Sequence, residues 1–119
     1  MKTIRSLLVV TAVSGLLVAC TAKGPVSPPN WAHAVQTAET REAHEALAKH
    51  YEDVAKQMQA DADDEKQMLA QYLATPWKYG KRIQDLKAGA EKMIRDFELA
   101  AKESLHMAEY HRQLAAEIK

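Results

Sequence analysis

The chain has 119 residues, balances 16 Lys+Arg against 16 Asp+Glu, and contains one Cys, four Gly and four Pro. That length suits one small domain, and the charge balance leaves none of the excess basic surface that nucleic-acid binding draws on. A single cysteine excludes an internal disulfide framework, a thiolate zinc site and a Cys-x-x-Cys redox centre, and the scarcity of Gly and Pro argues against a loop-rich catalytic domain.

Met1-Lys2-Thr3-Ile4-Arg5 makes a short basic start, followed over residues 6–19 by an apolar and small run. The run is too short to span a bilayer, which takes ~20 apolar residues, and it has the anatomy of a secretory signal. It closes on Leu17-Val18-Ala19-Cys20, which resembles the lipobox of bacterial lipoproteins. The resemblance covers the signal segment alone. It implies removal of residues 1–19, diacylation of the Cys20 sulfur and acylation of its new amino group, leaving a protein lipid-anchored in the cell envelope and facing the periplasm. Thr21, rather than an aspartate, follows the cysteine, and in such lipoproteins that implies sorting to the outer membrane. Several acyl chains on one residue would hold stably where a single chain is marginal. The remaining 100 residues lose Lys2 and Arg5 and carry a net charge of −2.

Residues 20–30 combine the lipidated cysteine with Thr-Ala-Lys-Gly-Pro-Val-Ser-Pro-Pro-Asn, which has three prolines and no hydrophobic period. The ten residues after Cys20 read as a tether, and at ~3.1 Å per residue in the polyproline form they reach about 30 Å. Residues 31–119 are the folded body. Trp31 opens it as the start of a frayed helical segment packing on the domain.

Residues 32–74 contain no Gly or Pro and are dominated by Ala, Glu, Lys, Gln, Leu and Met, the strongest helix formers. Their apolar seam reads His44, Leu47, Tyr51, Val54, Met58, Asp61, Glu65, Met68 and Tyr72, in alternating steps of three and four. It weakens at Asp61-Ala62-Asp63-Asp64-Glu65. That acidic run is no EF-hand, because Lys66 and Tyr72 occupy the loop positions that need Gly and Glu. Thr75-Pro76-Trp77-Lys78-Tyr79-Gly80 breaks the pattern over residues 75–80, since Pro76 disfavours helix at Thr75. A second helical period runs over residues 81–118 through Ile83, Leu86, Ala90, Met93 or Ile94, Phe97, Ala101, Ser104 or Leu105, Ala108, His111, Ala115 and Ile118. Gly89 is expected to let the other helix approach closely.

The predicted fold is all-α, a long antiparallel two-helix hairpin of coiled-coil type. Such a layer shields its Ala-rich stripes incompletely, so a homodimer forming a four-helix bundle, or a helix of another envelope protein, is the expected cover.

With the turn centred near residues 77 and 78, residues whose numbers sum to about 155 lie level. His44 then meets His111, and His50 falls beside Leu105 and His106. His44, His50 and His111 form the one set with a metal-ligand character, suited in principle to copper, zinc or a b-type haem. The plainer reading is boundary histidines in ordinary helix-helix hydrogen bonds, with no cofactor. His44-Glu45 is not a zincin motif, because the next His stands at position 50 rather than four residues on. Ser104 and His111, seven helical residues apart, lie ~10 Å from one another, too far for a nucleophile and its base. No nucleophile elbow or phosphate loop is present in the sequence.

The body resembles only small uncharacterised bacterial lipoproteins with helical-hairpin domains. Terminal Lys119 invites comparison with the murein lipoprotein family, which joins such a lysine to peptidoglycan, but a hairpin returns Lys119 toward the membrane. The expected function is therefore non-enzymatic: an anchored scaffold or adaptor acting by protein contact, with a histidine-based metal or haem carrier as the alternative.

Overall fold

The computed structural model describes residues 29–119; Cys20, the signal segment and most of the tether lie outside the described residues. Three α-helices follow one another: α1 Trp31–Gln36, α2 Arg41–Ala74 and α3 Ile83–Glu117. The last two pack antiparallel along their length as the predicted hairpin. At 1.5 Å per residue their 34 and 35 residues are each about 50 Å long.

The expected continuous helix over residues 32–74 is interrupted. Two threonines account for the break. Thr37 turns its hydroxyl back to donate to the His33 carbonyl at 3.0 Å, closing α1, and Thr40 accepts from the Ala43 amide at 3.1 Å, capping a new start for α2. A capping hydroxyl satisfies one of the amides that a helix leaves unpaired at its start, so a Thr just before a helix-forming run competes with continuation. Asn30 caps α1 in the same way, through the His33 amide.

At the far end the Thr75 hydroxyl donates to the Gln71 carbonyl, and the chain reverses through two 3-10 turns, Pro76–Lys78 and Gly80–Arg82. Gly80 sits at φ +53, the left-handed region that a side chain disfavours. Tyr72 and Tyr79 meet edge to face with ring centroids 5.2 Å apart, fastening the turn to the end of α2.

The core is a seam of small residues. Ala48, Ala55 and Ala62 on α2, spaced by seven, are buried against Ile94, Ala101, Ala108 and Ala115 on α3, which repeat at the same spacing. A period of seven keeps one stripe facing a partner helix, and alanine lets the two backbones come close. The α2 seam read from the sequence is therefore displaced: its most sealed line is the alanine row beside it, while Val54, Met58 and Tyr72 are only half-buried and Met68 is exposed. Leu47 is the one large side chain among the described residues sealed to 1% exposure. Gly89 does not serve close approach either, since a Cβ built there meets nothing within 4 Å.

Candidate functional site: the open end and the two flanks of the hairpin

The two long sides of the hairpin differ. Four residues beyond seam positions on each helix stand Glu52 and Lys66 on α2 and Glu98 and Arg112 on α3. Glu52 pairs with Arg112, and Lys66 pairs with Glu98 at 2.7 Å. The hydrogen bond to Glu52 raises the Arg112 pKa above its usual value, and that to Glu98 raises Lys66. All four side chains are substantially exposed, so these pairs select register more than they add stability.

The other side carries the residues that immediately precede the seam positions. On α3 these are Met93, Ala100, Met107 and Leu114; on α2 they are Leu47, Val54, Asp61 and Met68. Asp61 is the only charge among them. Met93, Met107, Leu114 and Met68 are 38–45% exposed, which is unusual for four apolar side chains aligned along one molecular flank. Near the turn this flank opens into a shallow groove of about 270 Å³ between Tyr72, Leu86, Ala90 and Met93, with Glu65 at its floor. Glu65 is 5% exposed and has no salt-bridge partner among the described residues; Arg82 and Asp85 stand on the rim of the same groove. The sequence placed Glu65 where the seam weakens, yet its burial was not foreseen, because only the packing of α3 over it removes it from water.

At the open end His44 and His111 come together as the register predicted, Nδ1 to Nδ1 at 3.1 Å. Their planes are 27° apart and their centroids 5.3 Å apart, so the centroid separation exceeds the nitrogen separation by about the two ring radii. The two nitrogens thus point at each other along one line. One ring donates its Nδ1–H and the other accepts on its Nδ1 lone pair. Tyr51 lies over His111, planes 11° apart and centroids 5.6 Å apart. Burial, and then the proximity of His44, pushes the His111 pKa below its ordinary value.

His50 does not join them. Its ring stacks on Trp31 of α1, centroids 3.9 Å apart and planes 15° apart, and this contact holds the short helix to the body. Leu105 and His106, predicted to lie beside it, face solvent, and His106 leans toward Glu103 on its own helix at 3.5 Å. Of the set His44, His50 and His111, the structure assembles the outer two only. Among the described residues no group of three or more His, Cys, Asp or Glu has the spacing to hold a metal ion. The two assembled nitrogens share a hydrogen bond, and by themselves they supply two of the four ligands of a tetrahedral zinc site.

Ser104 is half-buried and makes no hydrogen bond with His111, whose ring faces His44 instead. Among the described residues no helix is long and apolar enough to cross a membrane. No protein-family model, curated protein or solved structure matches the chain.

Proposed function

We propose that this protein is a lipid-anchored envelope lipoprotein without enzymatic activity, held at the periplasmic face of the outer membrane through Cys20, and that it works as a scaffold or adaptor by helix-to-helix contact. The observation that carries the contact reading is the asymmetry of the hairpin: charged pairs close one flank, while the other presents a nearly uncharged row of methionine and aliphatic side chains. The occupant that fits this flank first is a second copy of the same hairpin. A face some 50 Å long and about 15–20 Å wide offers each chain on the order of 800–1,000 Å², which is what a specific pair of proteins buries per partner. Because the same stripe lies on both copies, a two-fold arrangement is self-complementary and yields a four-helix bundle.

The anchor rests on the Leu17-Val18-Ala19-Cys20 motif behind its basic start. Cys20→Ser should leave unprocessed precursor and abolish the mass added by acylation; wild-type protein that is soluble and unmodified at Cys20 would refute the anchoring. For the flank, a photo-crosslinking residue placed at Met93 or Met107 in cells should join two copies of the chain. Crosslinks to a different envelope protein would replace self-association by an adaptor role, and no crosslink at either position would remove the flank from the proposal.

The carrier alternative, copper, zinc or haem on His44, His50 and His111, retains two of its three rings together. Calorimetric titration with Cu(II), Zn(II) and haem tests it: a stoichiometric submicromolar site lost in His44→Ala, His111→Ala would establish it against the scaffold reading.

A further inference from the structure

We infer that the His44–His111 pair is a proton-operated latch that holds the open end of the hairpin closed at neutral pH and releases it under mild acid. The geometry carries this. Two Nδ1 atoms 3.1 Å apart on a common line leave room for one hydrogen between them. In the neutral pair that hydrogen belongs to one ring, while the other is protonated on Nε2 and offers its Nδ1 lone pair. A first added proton goes to the Nε2 of the donor ring, and the bond survives with a charged donor. The second proton has no compatible place: it must enter the Nδ1 lone pair that accepts the bond, and two N–H groups then face each other across 3.1 Å. The hydrogen bond is lost and two cations are forced together, so the rings must separate.

Among the described residues no carboxylate pairs with either imidazole to offset that charge. On α2, Arg41 is engaged by the carbonyl of Ile118 at 3.0 Å, and Tyr51 presents its ring face to His111. On α3, Arg112 is taken up by Glu52. Glu45 lines a hollow at this end together with Arg41 and Arg112, but among the described residues it hydrogen-bonds to neither imidazole. On α1, Trp31 reaches this region only through His50, which is itself tilted against Tyr51 with centroids 5.4 Å apart. The depressed pKa of His111 agrees with this environment, since its causes are burial and the neighbouring His44.

Position decides what the release does. His44 lies within the first turn of α2 and His111 two turns before the end of α3, so separation of the rings unzips the end of the hairpin that carries α1. The turn end, fastened by Tyr72 against Tyr79 and by Lys66–Glu98, has no histidine and stays closed. The sign follows from His111. Its folded pKa lies below that of the unfolded chain, so the stability contributed by the latch is fully present above about pH 6.5 and is lost progressively as the pH falls below it.

The test is hydrogen exchange with mass spectrometry on the full chain in mild detergent from pH 7.5 to 5.0, corrected for intrinsic exchange. Peptides covering residues 41–51 and 108–117 should lose protection, while those covering residues 66–74 and 90–97 hold theirs. In His111→Asn, whose amide can still bond His44 without taking a proton, the loss at the open end should disappear; in His50→Ala it should persist. An NMR titration of the wild-type imidazoles gives a readout that needs no variant: His111 should titrate below the ordinary histidine value. Equal loss at both ends of the hairpin, loss that persists in His111→Asn, or titration of His111 at or above the ordinary histidine value would each overturn the latch.

Discussion

Replacing Leu47 by alanine measures how much of this fold hangs on one side chain. Leu47 is 1% exposed, whereas the neighbouring seam is built from alanines that gain little on burial. Truncating a sealed leucine costs about 2–5 kcal/mol, the transfer of the lost carbons plus the cavity left behind. A two-helix layer can partly collapse into such a cavity, which places Leu47→Ala near 3 kcal/mol. For a body of 60–100 residues each kcal/mol moves the melting temperature by about 4–8 °C, so the midpoint should fall by roughly 12–24 °C. Thermal and urea unfolding followed by far-UV circular dichroism read this directly. Leu99→Ala is the control: that side chain is 59% exposed, and its loss should stay within about 0.5 kcal/mol. If the two variants lost equal stability, or if Leu47→Ala matched wild type, the reasoning that a single large residue closes the alanine seam would be wrong.

Overpacking the seam should also destabilise. Ala62 is sealed at 0% exposure, and Ala62→Leu should cost about 1–3 kcal/mol in urea unfolding and weaken the Lys66–Glu98 pair one turn away. The two body glycines should respond in opposite directions. Gly89→Ala, inside α3 with open space around the new methyl, should stabilise by about 1 kcal/mol. Gly80→Ala, at φ +53, should destabilise by about 1 kcal/mol through backbone strain although nothing blocks its methyl; equal effects in melting temperature would contradict the assignment of the reversal to Gly80.

Local chemistry was enough to determine much of this molecule. Long runs of helix formers set α2 and α3, Thr75-Pro76 and Gly80 set the reversal, and counting outward from that reversal places His44 against His111. The Leu17-Val18-Ala19-Cys20 motif on which the anchoring proposal rests is equally local, since it is legible in the sequence alone. What the tertiary structure decided concerns choices between neighbours on the same helix. A hydrophobic period weighs large apolar residues, so it ran the α2 seam through Val54, Met58 and Met68. Packing instead brought the helices together along Ala48, Ala55 and Ala62, and pushed the larger residues to the flank. Thr37 and Thr40 read as ordinary members of a helical run until their hydroxyls found the His33 carbonyl and the Ala43 amide. His50 was assigned by register to the far helix, but the break at residues 37–40 let α1 fold back and offer it Trp31. In each case the sequence lists groups able to make a contact, and the winner is the one whose partner the closing of the two helices brings within reach.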